Sequence, residues 1–411
     1  MTLANCPQYL AIPGPSVFPY RVLRAMHRPS PNIYAGELVE MAFGLIPDLK
    51  AVAQTRGHVA MYIGNGHAAW EAALFNVISK GDKVLVLMTG HFGWGWSNMA
   101  GTMGADVELM DFGRRSANDL DAVEARLRAD ADHQIKAVLS VHVDTSTGVK
   151  NDIAGLRRAM DASKHPALLM ADCIASLVCD DFQTDAWGVD VMVAGCQKGL
   201  MVPAGMSFVF FNDKADAVRE ANGCASHYWD WRPRMQAEAL WQLFDGTAPT
   251  HHLYGLRAAL DMIAEESLPQ IFVRHRVLAE AIWAAVDVWS AGGPIELNIQ
   301  DAAYRSHAIT SLRIGAPYGT ALRTWCEQEA GLTLGIGLGM ATAADPKADG
   351  FFRLGHMGYV NAQMILGMLA TVQAGMLACK IPYGAGAIEA ASAVIIGAQP
   401  QVPLAVLPQS A

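Results

Sequence analysis

Short apolar runs alternate with amphipathic stretches through the middle of the chain. Five of these runs have the length and composition of buried strands: Val84–Met88, Ala137–Val143, Ala167–Asp172, Val189–Gly195 and Met206–Phe211. Between several of them the apolar residues follow helical spacing, as they do over Asp119–Ala129 and Ile153–Ala162. Because strands separated by helices need crossover connections, this alternation predicts a mostly parallel sheet covered by helices on both faces.

The pattern changes after a long Leu- and Ala-rich helix, which is predicted from Leu253 to about Glu266. Pro269 marks a boundary, and a further helix is predicted over Arg274–Val288. The remaining sequence predicts two strands and two helices: Ile309–Ile314, Gly350–Leu354, Tyr318–Ala330 and Ala362–Leu377. We therefore expect an N-terminal arm (residues 1–20), a large α/β domain (residues 21–268), a small C-terminal α+β domain (residues 269–396) and a loose tail (residues 397–411).

The composition argues against a membrane-spanning protein and against a nucleic-acid-binding protein. Of the 411 residues 52% are hydrophobic, yet no apolar run approaches the ~20 residues that a membrane-spanning helix needs. The 30 Lys and Arg against 39 Asp and Glu give a net charge of −9, so the chain has no basic excess for binding nucleic acid. The first ten residues lack the pattern of a signal peptide. We expect a soluble protein that binds neither nucleic acid nor membrane.

Cysteine and histidine positions indicate neither a disulfide framework nor a metal site. The cysteines are odd in number and scattered, at Cys6, Cys173, Cys179, Cys196, Cys224, Cys326 and Cys379, which is typical of reduced thiols. His251 and His252 form the one tight histidine pair, and adjacent side chains on a helix point apart. We therefore expect a cytoplasmic protein without bound metal.

Gly64-Asn65-Gly66-His67 opens a strongly helix-forming run. Two glycines at a helix start leave backbone N–H groups and the positive end of the helix dipole accessible, which suits a phosphate. The alternative is an ordinary glycine turn in which Asn65 caps the helix. The motif alone leaves both interpretations open.

Two charged residues follow neighbouring strands of the predicted sheet. Asp172 ends one strand, and Lys198 follows the strand that ends at Gly195, so we expect both at the same sheet edge. Taken alone, Asp172 could equally be a turn residue or a helix cap, and Lys198 could equally lie on a surface loop. Together with a phosphate cup they are the parts that pyridoxal 5′-phosphate requires: a lysine for its aldehyde, an acid for its ring nitrogen and a cup for its phosphate.

The order of the motifs resembles that of the class V aminotransferases, within fold type I of the pyridoxal-phosphate enzymes, and their alanine–glyoxylate and serine–glyoxylate branch in particular. The resemblance runs from Ile12 to about Ile395. It rests on residues 64–67, 142–148, 171–177, 197–200 and 352–358. It implies a large domain with a mostly parallel seven-stranded sheet, a small α+β domain, and a homodimer or tetramer whose active site a neighbouring subunit completes.

The resemblance also implies roles for individual residues. Lys198 matches the lysine that forms a Schiff base with the cofactor, and Asp172 matches the partner of the ring nitrogen. The phosphate contacts correspond to Asn65, Gly66, His67 and Gln197, together with Thr247 from the neighbouring subunit. Phe92 occupies the position of an aromatic ring that stacks on the cofactor, whereas the nearby Trp94 and Trp96 are predicted to be core residues. Thr145 and Ser146 match residues near the cofactor's ring oxygen and the substrate.

Substrate recognition is expected to involve an arginine, because a guanidinium binds a carboxylate with two parallel hydrogen bonds. Arg353 occupies the family's position for it, with Ser146 and Gly14 also assigned to the substrate. Arg305 and Arg313 are other candidates, but neither lies in a recognisable motif. Three departures from the family pattern are noted. Asp144 stands in place of a glutamate, and Phe244 in place of a tyrosine that contacts phosphate in some relatives. Ile63-Gly64-Asn65 replaces a more usual Ser-Gly-Ser or Ser-Gly-Thr.

The predicted reaction is transamination between a small amino acid, serine or alanine, and a 2-oxo acid, with glyoxylate favoured. Aspartate as the donor or pyruvate as the acceptor is the alternative within the family. A pyridoxamine–pyruvate enzyme is less favoured because the phosphate cup is present. A cysteine desulfurase or β-lyase needs a mobile catalytic cysteine near the C-terminus, and Cys326 and Cys379 do not stand in suitable positions.

Overall fold

The computed structural model describes residues 2–5, 7–342 and 344–398. Most of the predicted tail, residues 399–411, therefore lies outside the described residues. The strands are β1 (Tyr9–Ala11), β2 (His58–Gly64), β3 (Lys83–Met88), β4 (Asp106–Asp111), β5 (Ile135–Val141), β6 (Val143–Asp144), β7 (Val149–Lys150), β8 (Leu168–Asp172), β9 (Val191–Gly195), β10 (Gly205–Phe211), β11 (Glu296–Leu297), β12 (Ile309–Arg313), β13 (Leu332–Ile336) and β14 (Phe351–Gly355).

The described residues also form thirteen α-helices. They are α1 (Tyr20–Met26), α2 (Glu37–Val52), α3 (Gly66–Val77), α4 (His91–Thr102), α5 (Leu120–Ala129), α6 (Ile153–Ala162), α7 (Asp213–Asn222), α8 (Arg232–Met235), α9 (Thr250–Glu266), α10 (Leu268–Ser290), α11 (Tyr318–Ala330), α12 (Ala362–Ala378) and α13 (Ala387–Gly397). No helix in the described part of the chain is long and apolar enough to cross a membrane.

A large sheet of seven strands, in the order β2-β10-β9-β8-β5-β3-β4, forms the centre of the described structure. β10 runs antiparallel to both of its neighbours, and the other pairs are parallel. The predicted mostly parallel seven-stranded sheet is therefore confirmed. The five strands predicted from apolar runs all belong to it, whereas β2 and β4, at its two edges, did not stand out in the pattern.

Helices cover both faces of this sheet because side chains alternate along each strand. Leu85 and Leu87 of β3 pack into one apolar cluster with α2, α5, α6 and α9. Val84 and Val86 of the same strand pack into the opposite cluster with α3, α4 and α7. This double burial leaves the carboxyl ends of the parallel strands as the place where polar side chains gather.

The C-terminal region forms a second sheet, in the order β1-β13-β14-β12-β11. β1 comes from the N-terminal arm and pairs parallel with β13, so the arm contributes a strand to this sheet. Helices α10 to α13 form the core beside it. α10 begins at Leu268, with Pro269 in its first turn, six residues before the predicted Arg274. The division of the chain into domains at residues 268 and 269 stays a prediction.

Buried histidine side chains connect elements of the C-terminal region. His275 of α10 is fully buried; its Nδ1 bonds to the carbonyl of Ile271 (2.9 Å) and its Nε2 accepts the N–H of Gly358 (3.0 Å). Burial lowers the pKa of His275 to about 3. The neutral ring therefore joins α10 to the loop that follows β14.

The lowered pKa of His275 predicts acid sensitivity of the fold. An unfolded histidine takes up a proton near pH 6.5, whereas the folded His275 resists protonation down to about pH 3, so its stabilising contribution is lost as the pH falls through this range. We expect the difference in free energy of unfolding between the wild type and His275→Gln to shrink by about 2 kcal/mol between pH 7 and pH 5. Urea denaturation at both pH values measures it, and a constant difference would contradict the interpretation.

Candidate active site

The residues predicted to bind the cofactor surround one cavity at the carboxyl ends of the large sheet's strands. The cavity has a volume of about 220 Å³. It is lined by Asn65, Gly66, His67, Trp70, Phe92, Val143, Thr145, Asp172, Ile174, Ala175, Gln197 and Lys198. Eight of the ten residues that the sequence assigned to the cofactor are thus brought together; the other two, Ser146 and Thr247, are not in the lining.

Asp172 lies at the end of β8 with its carboxyl group buried. One oxygen accepts the indole N–H of Trp70 (2.9 Å) and the other accepts the backbone N–H of Ile174 (2.7 Å). Burial raises the pKa of Asp172 to about 7, and the nearby negative charge of Asp144 acts in the same direction. A carboxyl group in this state gains most from a cationic N–H partner, because such a partner offsets the cost of burying the charge.

Lys198 reaches the same cavity from the loop between β9 and β10. Its amine donates a hydrogen bond to the carbonyl of Pro13, in the N-terminal arm. Burial, with a contribution from the positive charge of Arg353, lowers the pKa of Lys198 to about 8. Gly14 lies directly against this side chain at φ +103°, and a Cβ at that position would overlap the lysine. The amine thus has a pKa much nearer to pH 7 than that of an exposed lysine, and it occupies a space that only glycine leaves free.

The start of α3 and Gln197 also line the cavity. Asn65 is the N-cap of α3, and its side chain accepts from the backbone N–H groups of His67 (3.0 Å) and Ala68 (3.4 Å). The Oε1 of Gln197 is buried without a hydrogen-bond partner in the described part of the chain. A polar atom in this state beside a helix N-terminus fits a site built for a polar group of a ligand.

Phe92 of α4 forms an aromatic wall of the cavity, and its ring meets Trp70 edge-on at 6.3 Å. Trp96 is buried and stacks on Trp70 at 5.9 Å, as predicted for a core residue. The same prediction is wrong for Trp94, which is 50% exposed and stacks on His91 at 5.5 Å. Residues two apart on a helix face nearly opposite directions, so only one of the two tryptophans faces the core.

Asp144 and Ser146 hold the start of α4. One carboxylate oxygen of Asp144 accepts the N–H groups of Phe92 (3.0 Å) and Gly93 (3.2 Å). The hydroxyl of Ser146 donates to the other oxygen (2.5 Å) and accepts the N–H of His91 (2.8 Å). Ser146 therefore holds the first residue of α4 and does not line the cavity, whereas the adjacent Thr145 does line it.

Arg353 lies on β14, 6% exposed and beside the cavity. Its Nη1 donates to the carbonyl of Thr145 (2.8 Å) and its Nε to that of Ile336 (2.5 Å). Burial lowers its pKa to about 10. The two other candidate arginines are engaged elsewhere: Arg305 donates to backbone carbonyls at residues 299 and 300, and Arg313 pairs with Glu296 (3.3 Å).

Two positions noted in the sequence lie away from the cavity. Phe244 is buried in the core of the large domain region. Thr247 precedes α9 and is exposed in this chain, so its predicted contact with a neighbouring subunit's phosphate stays a prediction. Trp70 and Pro13, which bond to Asp172 and Lys198, were not predicted, because no local pattern marks a contact between residues this far apart in the sequence.

Comparisons with known proteins agree with this geometry. The family model described as aminotransferase class-V matches residues 49–360. Serine–glyoxylate aminotransferase of Methylorubrum extorquens is 34% identical over 393 residues, covering 93% of this chain and 95% of the relative. L-Aspartate–glyoxylate aminotransferase of Paracoccus denitrificans is 33% identical over 388 residues, covering 93% of this chain and 94% of the relative.

A solved structure is similar throughout its length. Ureidoglycine–glyoxylate aminotransferase from Bacillus subtilis superimposes with a TM-score of 0.83 at 26% identity, covering 96% of this chain and 99% of that one. The fold is that of the fold type I enzymes, as the sequence motifs implied. The chain belongs to the class-V aminotransferases, which depend on pyridoxal phosphate.

Proposed function

We propose that this aminotransferase transfers the amino group of a small amino acid, serine or alanine, to a 2-oxo acid, with glyoxylate as the favoured acceptor. The observation that carries the proposal is the meeting of Lys198, Asp172 and the start of α3 around one cavity, with Arg353 beside it. The choice of substrates is supported by the relatives that are named for serine, aspartate and alanine as donors and for glyoxylate as acceptor.

The residues present fit pyridoxal phosphate. When bound, this cofactor supplies an aldehyde that captures amines and a ring that takes up the electron pair of a broken C–H bond. Asp172 would pair with the ring nitrogen and keep it protonated, since a buried carboxyl with a raised pKa is stabilised by such a partner. Phe92 would contact the ring face, and the phosphate would lie where Asn65, Gly66, His67 and Gln197 line the cavity.

Lys198 would hold the cofactor between turnovers and then act as the general base. An amine whose pKa is lowered to about 8 is more readily deprotonated than an exposed lysine, so it can accept the α-proton of the substrate and return a proton to the cofactor side. The carbonyl of Pro13 gives the released amine a fixed hydrogen-bond acceptor. The position of the Lys198 amine therefore depends on the N-terminal arm.

Arg353 would bind the carboxylate that amino acid and 2-oxo acid substrates share. Its Nε and Nη1 are fixed by backbone carbonyls, while its Nη2 makes no hydrogen bond within the described residues. A guanidinium held in this way is oriented before a carboxylate arrives, which reduces the entropy lost on binding. Gly14 and Thr145 would limit the space next to it.

We also propose that the enzyme works as a homodimer in the cytoplasm, with Thr247 of one subunit reaching the phosphate site of the other. The support is the exposure of Thr247 and its absence from the cavity of its own chain, together with exposed Trp241 nearby on the surface. A tetramer built from such dimers is the alternative. Light scattering with size-exclusion chromatography distinguishes the two states.

A cysteine desulfurase or β-lyase is the second candidate from a different reaction class. Cys326 is a residue of α11 and is buried in the core, and Cys379 lies at the end of α12 against the same core. No cysteine is present among the described residues that line the cavity. These observations favour transamination.

Replacement of Lys198 tests the proposed chemistry. We expect Lys198→Ala to lower turnover at least a thousandfold, since the variant lacks both the covalent attachment and the general base. After borohydride reduction and denaturation, mass spectrometry should find one cofactor retained on the wild type and none on the variant. Lys380→Ala, at an exposed position, is the control and should behave as the wild type. Retained transamination in Lys198→Ala would refute the assignment.

The proposed role of Arg353 predicts a loss specific to carboxylate binding. Arg353→Lys keeps the charge but loses the two-pronged geometry, and we expect KM for both the amino acid and glyoxylate to rise about 10- to 100-fold. Arg313→Lys, whose native guanidinium pairs with Glu296, is the matched control and should change KM less than about twofold. Equal effects of the two substitutions would contradict the role.

The substrate assignment is tested by separate half-reactions of the purified enzyme. Serine, alanine, aspartate and glutamate are each added as donor, followed by glyoxylate or pyruvate, and the change in cofactor absorbance gives the rate of each half. We expect serine or alanine to react fastest as donor and glyoxylate as acceptor. Faster reaction with aspartate, or with pyruvate as acceptor, would favour the alternative within the family.

A further inference from the structure

The side chain of Asn65 caps the start of α3. The first N–H groups of a helix have no partner within the helix, and here the Asn65 carboxamide oxygen accepts two of them, from His67 and Ala68. The backbone of Asn65 is extended, at φ −107° and ψ −169°, and its side chain is exposed. The residue is therefore an ordinary N-cap that is also free to turn outward.

One of the two capped N–H groups, that of His67, belongs to a residue that lines the cavity. A helix N-terminus binds an anion through its unpaired N–H groups and its dipole. Lys198, which serves the aldehyde, is the one lysine or arginine among the described residues that line the cavity. Because no other lysine or arginine of the lining offsets the phosphate charge, the N–H groups of α3 would contribute much of the affinity for the phosphate.

We propose that the Asn65 carboxamide oxygen and the cofactor phosphate compete for the start of α3. Without cofactor, Asn65 caps the helix and stabilises the empty site; with cofactor, the phosphate displaces that cap. The displacement lowers the affinity for the phosphorylated cofactor but not for its unphosphorylated form. This inference rests on the placement of the phosphate at α3 in the proposed function.

A matched pair of caps allows a direct test. Asn361 caps α12 in the same way, accepting the N–H of Met364 (3.0 Å) at an exposed position outside the cavity. Asn65→Ala and Asn361→Ala each remove one cap, and both positions have negative φ that alanine adopts without strain. For each apoenzyme, the dissociation constants of pyridoxal phosphate and pyridoxal are measured, together with Tm and hydrogen exchange of the peptide covering residues 63–74.

We expect Asn65→Ala to bind pyridoxal phosphate about fivefold more tightly than the wild type, which corresponds to about 1 kcal/mol for the lost cap. Its affinity for pyridoxal should be unchanged. The apoenzyme Tm should fall by about 1–2 °C in both variants. Faster exchange of residues 63–74 should appear only in Asn65→Ala, and pyridoxal phosphate should restore its protection.

Either of two results would overturn the inference, and each would point to a different cause. Weaker binding of pyridoxal phosphate by Asn65→Ala would mean that Asn65 donates to the phosphate instead of competing with it. Equal changes for pyridoxal phosphate and pyridoxal would mean that the phosphate does not bind at α3. The proposed transamination would survive either result, since it is tested separately through Lys198.

Discussion

Burial of the Asp172 carboxyl group is the constraint around which the site is organised. A carboxyl at the end of a buried parallel strand loses its hydration, and its pKa rises to about 7. It is held by the indole N–H of Trp70, which lies one turn into α3. The helix whose first turn lines the cavity thus also holds the buried acid. The positions of Asp172 and of the start of α3 both depend on how α3 packs against the large sheet.

The N-terminal arm connects this site to the second sheet. β1 pairs with β13, whose neighbour β14 carries Arg353. A few residues further along the arm, the carbonyl of Pro13 accepts from Lys198 and the hydroxyl of Ser16 donates to the Lys198 carbonyl (2.8 Å). One short segment therefore contacts Lys198 directly and pairs with the sheet that carries Arg353, the two residues to which we assign proton transfer and carboxylate binding in the proposed function. Gly14 is required within it because the chain turns at positive φ directly against the lysine.

Much of this arrangement could be predicted from the sequence, and the exceptions have physical reasons. Buried strands stand out as apolar runs, which is why Asp172 and Lys198 could be placed at one sheet edge. β4 did not stand out, because it is an edge strand in which three of the six residues, Asp106, Glu108 and Asp111, are charged. The contacts of Trp70 and Pro13, and the cap that Asp144 forms on α4, join residues distant in sequence and leave no local signal. Trp94 was misassigned because hydrophobicity alone does not tell which face of α4 is covered. The contact of Thr247 with a neighbour requires a second chain and stays a prediction.

We propose that buried Asp172 keeps the cofactor's ring nitrogen protonated. ¹⁵N NMR of the enzyme reconstituted with pyridoxal phosphate labelled at the ring nitrogen measures this directly. In the wild type we expect the chemical shift of a protonated ring nitrogen from pH 6 to pH 8. In Asp172→Asn we expect the chemical shift of an unprotonated ring nitrogen over the same range. An unprotonated nitrogen in the wild type at pH 7, or no difference between the two proteins, would contradict it.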